Sequence, residues 1–376
     1  MKYRLGDVAP ICQGAVPAND QYWLLNLDMV ESNTGKVLRF VYVDNSQIGA
    51  STVSFDQRNV LYSKLRPYLN KVVVPDRAGF ATSEMLPLKP NERIITREYL
   101  SYFLRSPYFV GYINGKTSGA KMPRANTDDL KSAEIDCPSR EKQEEIVTQF
   151  KTIEGILEKR QQQLSALDDL IKSRFAEMFE QGDYSEIEFG DICVFLRNGA
   201  NIKQTKGASG FPITRIETLA NDVFNTDRLG YANIFELGKY ENYILKPGDI
   251  LISHINSVAY LGRAVQYKGQ VDTPVIHGMN LLCARIVEGF DPTYVEYYFK
   301  TLNAKKYIST ITKKAVNQAS ITTSDLKKMT VPAPPLEKQK EFARLATQVE
   351  KNKSVIQKSL EETQLLFESL MQKYFG

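Results

Sequence analysis

Residues 138–178 read PSREKQEEIVTQFKTIEGILEKRQQQLSALDDLIKSRFAEM, and this stretch carries a long helical pattern behind a proline. Apolar side chains recur in it at intervals that alternate between four and three residues. These seam positions are Ile146, Phe150, Ile153, Leu157, Arg160, Leu164, Leu167, Ile171, Arg174 and Met178, of which only the two arginines are polar. No proline interrupts the run, and Pro138 stands where a helix start is favoured. The spacing predicts a coiled-coil helix of roughly 35–40 residues.

The same pattern returns in residues 334–374, which read PPLEKQKEFARLATQVEKNKSVIQKSLEETQLLFESLMQKY. Its seam positions are Phe342, Ala346, Val349, Lys353, Ile356, Leu360, Thr363, Phe367, Leu370 and Tyr374, each 196 residues beyond its counterpart. The equal lengths and matched seams favour two helices that pack on each other. The alternative is a pair of amphipathic helices, each packed on its own domain.

The repeat extends outward from the helices into the regions that precede them. The recurring segments are Asp129-Leu130-Lys131 with Asp325-Leu326-Lys327, Glu141-Lys142-Gln143 with Glu337-Lys338-Gln339, Tyr99, Tyr102 and Tyr112 with Tyr294, Tyr297 and Tyr307, Leu5-Gly6-Asp7 with Phe189-Gly190-Asp191, and Val60-Leu61-Tyr62-Ser63 with Ile250-Leu251-Ile252-Ser253. Short β-rich runs and turn residues fill the space between them. We therefore predict a divergent tandem duplication, with domains over 1–139 and 183–335 and long helices over 140–182 and 336–376.

Composition excludes several classes of protein. The chain has 376 residues, 43% of them hydrophobic, so it is long enough for two globular domains and is not disordered. It has 48 Lys and Arg against 44 Asp and Glu, a net charge of +4, with the basic excess in the two domains. Four widely spaced cysteines argue against a disulfide framework or a zinc site. With no apolar run of signal-peptide or membrane-span length, we expect a cytoplasmic protein.

Catalytic signatures are missing from the sequence. There is no Gly-x-Gly-x-x-Gly segment, no phosphate-binding loop, and no Asn-Pro-Pro-aromatic motif of the kind that amino-methyltransferases use. Leu86 occupies the position where a nuclease-type acidic motif would need lysine, and the only histidines are His254 and His277. We therefore expect no active site, metal or cofactor in this chain.

Two polar loops in each half are suited to DNA. They cover 63–71 and 117–126 in the first half, and 253–257 and 312–320 in the second. Lysine and arginine neutralise phosphates, while arginine, asparagine and glutamine form paired hydrogen bonds with base edges. The residues predicted to contact DNA are Lys64, Arg66, Tyr68, Asn70, Lys71, Lys121, Arg124, Asn126, His254, Asn256, Lys313, Lys314, Asn317 and Gln318. Solvated loops without a ligand are the alternative for each loop taken alone.

The whole chain resembles the specificity subunit of type I restriction–modification systems. The resemblance rests on the duplicated elements Pro138–Gln143 and Pro334–Gln339 and on the domain starts Leu5-Gly6-Asp7 and Phe189-Gly190-Asp191. It implies an α+β fold with two tandem-duplicated α/β target recognition domains, separated by two long helices that pack as an antiparallel coiled coil with pseudo-two-fold symmetry. It also implies that double-stranded DNA and two methyltransferase subunits bind this chain, and that restriction (translocase) subunits can then join. Those partners would supply the chemistry of S-adenosylmethionine, ATP and Mg.

We thus predict a non-catalytic protein that reads a bipartite DNA site. Met122-Pro123-Arg124 in the first half differs from Asn317-Gln318-Ala319 in the second, so the two half-sites should differ in sequence. Helices of this length predict half-sites about 10 base pairs apart, centre to centre. A stand-alone DNA-binding regulator and a coiled-coil scaffold without catalytic activity are the alternatives. A neighbouring gene with an adenine-methyltransferase motif would favour the first function.

Overall fold

The structure is a computed structural model that describes residues 1–119, 121–202, 209–315 and 318–376. Contacts divide the chain into two compact units, the first formed by Met1–Gln163 with Ile356–Gly376 and the second by Leu164–Val355. Each unit therefore combines one globular part with one piece of each long helix. None of the helices in these ranges is both long enough and apolar enough to cross a membrane.

The globular part of the first unit packs small sheets against short helices. Its strands are β1 (Lys2–Arg4), β2 (Gln21–Leu25), β3 (Val41–Asp44), β4 (Thr52–Phe55), β5 (Val60–Ser63), β6 (Val72–Val73), β7 (Gly79–Thr82), β8 (Met85–Leu88), β9 (Thr117–Ser118), β10 (Arg124–Ala125) and β11 (Glu134–Asp136). Its helices are α1 (Leu5–Val8), α2 (Arg97–Arg105), α3 (Pro107–Asn114) and α4 (Thr127–Ser132), followed by the long helix α5 (Arg140–Phe175), which continues as a π-helical segment over Ala176–Glu180. A four-stranded sheet has the order β3-β2-β7-β4, and a three-stranded sheet has the order β6-β5-β8.

The second unit repeats much of this plan. Its strands are β12 (Glu186–Glu188), β13 (Cys193–Asn198), β14 (Pro212–Ile213), β15 (Gly230–Tyr231), β16 (Ile250–Ser253), β17 (Ile255–Asn256), β18 (Ala264–Gln266), β19 (Leu281–Ile286), β20 (Lys313–Lys314), β21 (Ala319–Ser320) and β22 (Thr330–Pro332). Its helices are α6 (Pro292–Tyr298), α7 (Leu302–Ile311) and α8 (Thr323–Lys327). The long helix α9 (Leu336–Phe375) begins in this unit and ends in the first. The antiparallel trio β18-β16-β19 corresponds to β6-β5-β8, since Ser253 pairs with Leu281 as Ser63 pairs with Met85.

The repeated sequence motifs contact one another inside each unit. In the first, a Cβ added to Gly6 would lie only 2.9 Å from the Lys131 Cβ, and in the second a Cβ on Gly190 would lie 3.1 Å from the Lys327 Cβ. The glycine of each domain start is therefore needed because the Asp-Leu-Lys helix packs directly on it. Strand β1 pairs with β11, and β12 pairs with β22, so both globular parts close in the same way.

The repeated glutamine fixes the start of each long helix. Gln143 is buried, where its Oε1 accepts from the Thr96 amide at 2.9 Å and its Nε2 donates to the carbonyls of Ile94 and Pro138 at 2.8 and 3.0 Å. Buried Gln339 accepts from the Asp291 amide at 2.9 Å and donates to the Pro334 carbonyl at 2.8 Å. Each glutamine thus satisfies backbone groups that burial would otherwise leave unpaired.

Replacing Gln143 with alanine is expected to lower the free energy of unfolding of the first unit by about 1–3 kcal/mol, because buried backbone groups lose their partners. The matched control is Gln162→Ala, at an exposed position of the same helix. Amide hydrogen exchange at Thr96 measures the local effect. Equal exchange rates in the two variants would show that the glutamine does not hold the helix.

The long helices pack on each other within each unit. In the first unit the Phe150 ring lies 5.3 Å from Phe367, and Arg160 donates to the Ser359 carbonyl at 2.6 Å and to the Thr363 hydroxyl. In the second, Lys353 pairs with Asp168, and Phe175 lies 5.2 Å from Phe342. Residues later in α5 contact residues earlier in α9. The predicted antiparallel packing is therefore confirmed, and the alternative, in which each helix packs only on its own domain, is wrong.

Burial follows the predicted seam along most of both helices. Ile146, Phe150, Leu164, Ile171, Phe342 and Val349 are buried, and Leu157, Ile356, Leu360 and Phe367 are half-buried. At the carboxyl ends the prediction was wrong by one residue, because Phe175 and Phe375 are buried while Arg174 is exposed and Tyr374 only half-buried. A straight helix has 3.6 residues per turn, so its buried stripe drifts away from a strict 3.5-residue repeat.

Candidate nucleic-acid interface

The two polar loops of the first unit meet at one surface. The Arg66 amide donates to the Pro123 carbonyl at 2.7 Å, and the Ala125 amide donates to the Lys64 carbonyl at 2.8 Å. An antiparallel bridge between Leu65 and Arg124 joins the same segments. The loops at 63–71 and 117–126 therefore form a single surface, which we call the first loop surface.

The second unit builds the corresponding surface from its own loops. Strand β17 pairs with β21, placing Ile255 opposite Ser320, and β21 pairs with β20. The Ile321 amide donates to the His254 carbonyl at 2.9 Å. We call this the second loop surface. One predicted DNA contact, Asn317, lies outside the described residues.

The shared pairing identifies equivalent positions in the two surfaces. The Ala125 amide donates to the Lys64 carbonyl, and the Ile321 amide donates to the His254 carbonyl. Lys64 therefore corresponds to His254, and Arg66, two residues further on, corresponds to Asn256. The bridge of Leu65 to Arg124 matches that of Ile255 to Ser320, so Arg124 corresponds to Ser320. At these three positions the first unit therefore has cations where the second unit has neutral side chains.

Backbone conformation presents Arg66 at the first loop surface. Arg66 and Asn70 both have a φ of 50°, in the left-handed region, and flank a 3-10 turn over Pro67–Leu69. A side chain other than glycine is uncommon in that region and costs conformational energy, so the surrounding bonds must hold it there. The Arg66 side chain is exposed, as is that of Tyr68 in the turn itself.

Several of the predicted DNA contacts are free to meet a ligand. Within the described ranges, no hydrogen bond or ion pair involves the side chains of Lys64, Arg66, Tyr68, Lys121, Lys314 and Gln318. All of these are exposed except Lys64, which is half-buried. Lys313 is also exposed, with its Nζ 3.8 Å from the Asp325 carboxylate.

Other predicted contacts hold the fold. Asn70 is 9% exposed and donates to the Arg105 carbonyl at 3.0 Å, and Lys71 donates to the Leu27 carbonyl at 2.6 Å. Asn126 caps α4 by accepting from the Asp128 amide at 2.9 Å. The sequence does not show these intramolecular bonds, and contact of the three side chains with DNA stays a prediction.

The second loop surface also contains side chains that are buried or hydrogen-bonded within the unit. His254 is 6% exposed, and burial lowers its pKa, so the imidazole is uncharged near neutral pH. Half-buried Asn256 accepts from the Ser257 amide at 2.8 Å. At neutral pH the second unit therefore has no cation at the position equivalent to Lys64.

The buried His277 makes the second unit sensitive to acid. Its Nε2 lies 2.8 Å from the Leu281 carbonyl, and burial lowers its pKa from 6.5 to about 4. Below pH 6.5 the unfolded chain takes up a proton that the folded unit resists, so stability present above pH 6.5 is lost as the pH falls. Between pH 7.5 and 5 we expect a loss of about 2 kcal/mol.

The His277→Gln variant should lack this component of the acid sensitivity. Denaturant unfolding of both proteins at pH 7.5 and pH 5 measures it as the difference between their stability losses. Equal losses in the two proteins would show that His277 is not responsible.

Sequence reasoning missed the role of Glu84. Its carboxylate accepts from Arg124, with the Nη2 to Oε1 distance 2.9 Å. Glu84 directly precedes β8, whose pairing with β5 brings it beside the first loop surface. The backbone supports this placement, since the Lys64 amide donates to the Glu84 carbonyl at 2.9 Å. Pairing of these two strands was the signal that could have found it.

These features define a class of tandemly duplicated α/β proteins whose units carry equivalent loop surfaces and share a pair of long helices. Residues 1–166 and 181–364 match the family model described as the type I restriction modification DNA specificity domain. The chain therefore belongs to this family, which confirms the resemblance seen in its sequence. No group of three or more His, Cys, Asp or Glu side chains is placed to hold a metal ion in the ranges that the structure covers.

Individual relatives agree with this assignment. The chain is 35% identical over 205 residues to the putative type I restriction enzyme MjaX specificity subunit of Methanocaldococcus jannaschii, a match covering 54% of this chain and 48% of that relative. The match thus spans about half of the relative's length.

Solved structures show the same fold. The type I restriction–modification S subunit from M. genitalium has a TM-score of 0.62 at 14% identity and covers 100% of this chain and 96% of its own. A chain from a structural study of complex assembly and conformational transition of the type I R-M system has a TM-score of 0.61 at 20% identity, covering 100% of this chain and 97% of its own. The predicted fold class is confirmed.

Proposed function

We propose that this chain is the DNA-recognition subunit of a type I restriction–modification complex, and that each unit reads one half of a bipartite, asymmetric duplex site. The observation that carries the proposal is the pair of loop surfaces. Both units join two polar loops through the same strand pairing, yet equivalent positions carry different side chains. A shared scaffold with different donors and acceptors suits two readers of different sequence.

The chemistry of the first loop surface suits phosphates and guanine. Arg66 and Lys121 are exposed cations without partners in the described ranges. Lysine meets phosphate as a point charge, whereas an arginine guanidinium can also bond the O6 and N7 of guanine. The second loop surface offers the exposed amide of Gln318 and the exposed cation of Lys314, which lies opposite Ala319, the residue after Gln318. This set is suited to adenine next to a phosphate.

The helices are the proposed docking elements for two methyltransferase subunits, through which restriction subunits would join. Apolar side chains outside the seam support this proposal, since Ile156, Leu365 and Leu366 are exposed in the first unit and Leu170 and Val355 in the second. Exposed apolar side chains that lie next to one another are typical of partner contacts, and Leu365 and Leu366 are adjacent in the first unit. We propose that the chain is non-catalytic and that the partners bind S-adenosylmethionine, ATP and Mg.

Lys121→Ala should weaken binding to every duplex and reduce the salt dependence of affinity, the slope of log K against log salt, by about one. Arg66→Ala should also relax discrimination at one base pair, by about 1–3 kcal/mol. Titration of the full chain with duplexes at several salt concentrations measures both quantities. Lys159→Ala, an exposed change on α5 away from the loops, is the matched control and should alter neither.

Unchanged affinity and salt slope in both loop variants would contradict the proposal that the first loop surface binds DNA. Equal losses of affinity and salt slope in the Lys159→Ala control would show that net charge alone causes the effect.

A further inference from the structure

An arginine at the first loop surface is held by a carboxylate. The Arg124 Nε lies 3.1 and 3.3 Å from the two Glu84 carboxylate oxygens, and its Nη2 lies 2.9 Å from Oε1. The Arg124 side chain is 45% exposed and that of Glu84 is 22% exposed. The pair therefore sits at the solvent boundary, with the arginine on the outer side.

This pairing leaves one edge of the guanidinium available. Glu84 occupies the edge formed by Nε and Nη2, and Nη1 has no partner among the described residues. One N–H of Nη1 and the remaining N–H of Nη2 point the same way in the planar group. Two parallel donors of this kind match the O6 and N7 acceptors of guanine in the major groove.

The second unit shows that the loop surface forms without this ion pair. Ser320 corresponds to Arg124, and Asn280 corresponds to Glu84 because each directly precedes the strand that pairs with the repeated β-strand. The strand pairing of the loops is nonetheless the same in both units. The ion pair is thus dispensable for the shared backbone, which points to a role particular to the first unit.

A carboxylate at a DNA-binding surface weakens binding unless it has a compensating role. It repels the phosphate backbone and so weakens binding to all sequences. Bound to Arg124, the same carboxylate restricts the guanidinium to one orientation, which lowers the entropy that the arginine would lose on meeting a base. Exposed Arg66 and Lys121 have no such carboxylate partner in the described ranges and remain available to phosphates.

We infer that Glu84 is a positioning residue that orients Arg124 to read a guanine in the half-site of the first unit. The inference rests on the proposed function, because it assumes that the first loop surface binds DNA. It adds the base that Arg124 recognises and a residue that acts through Arg124 without touching the base.

The test is a sequencing-coupled binding selection from randomised duplexes, using the full chain, followed by titrations at several salt concentrations. The unaltered chain should prefer guanine at one position by roughly 5- to 150-fold. Arg124→Lys should lose most of that preference with little change in salt slope, because lysine keeps the charge but not the paired donors. Glu84→Ala should lower the preference at least about 5-fold while binding to non-specific DNA becomes tighter, since a negative charge has left the surface.

Two further variants separate positioning from stability. Glu84→Asn with Arg124→Ser places the second unit's residues in the first, so it should fold and lose the same guanine preference. Asp76→Asn breaks another exposed ion pair of the first unit, that with Arg77, and should leave the preference unchanged.

The outcomes distinguish the inference from the proposed function. An unaltered chain that selects no sequence would overturn both. A selective chain whose guanine preference survives Glu84→Ala, or is lost equally in Asp76→Asn, would overturn the positioning role and leave the proposed function standing. Weaker binding of Glu84→Ala to non-specific DNA would likewise indicate a purely structural ion pair.

Discussion

Phe342→Ala is expected to lower the free energy of unfolding of the second unit by about 3–5 kcal/mol. Phe342 is fully buried, with ring centroids of Phe175, Phe179 and Tyr297 at 5.2, 5.7 and 5.1 Å. Truncation removes the aromatic group at which α5, α9 and the globular part of this unit meet, and the rigid neighbours cannot fill the cavity. Such a loss is a large share of the stability of a single domain.

Val355→Ala is the matched control, since Val355 belongs to the same helix and unit and is 64% exposed. We expect a change within about 0.5 kcal/mol there. Hydrogen exchange resolves the second unit, while fluorescence of Trp23, the only tryptophan, follows the first unit independently. A Phe342→Ala variant no less stable than the control would show that the helices do not depend on this contact.

Replacing residues 1–139 with the first domain of another family member should rewrite one half-site completely and leave the other unchanged. The reason is local: every residue of the first loop surface precedes Arg140, where α5 begins. The second loop surface lies within 253–320, in the other unit. Each mismatched base pair typically costs about 1–3 kcal/mol, so a rewritten half-site should abolish binding to the original site.

The reciprocal exchange of residues 183–335 is the control, and it should alter only the other half-site. An exchange that rewrites both half-sites would contradict separate reading by the two units.

The helices and the duplication were predictable because their signals are local and periodic. Ile146 through Ile171 show the seam spacing directly, and Gly6 and Gly190 stand at matching places in the two halves. The drift of the seam to Phe175 and Phe375 was missed, since it depends on helix geometry at the ends rather than on residue type.

The site was only partly predictable, because its side chains are assigned by tertiary contacts. Sequence showed that Arg66 and Asn70 share a polar loop, but not that one would be exposed and the other buried against the Arg105 carbonyl. The pairing of Arg124 with Glu84 joins residues 40 positions apart, and only the pairing of β5 with β8 could have indicated it. The burial of His254 is likewise set by tertiary contacts in the second unit and could not be predicted from the sequence.

A binding selection of the unaltered full chain on randomised duplex DNA tests most directly whether the two units read separate half-sites. We expect two half-sites of different sequence, separated by an unread gap of fixed length. A palindromic site, a single uninterrupted site, or no enrichment of any sequence would contradict this expectation.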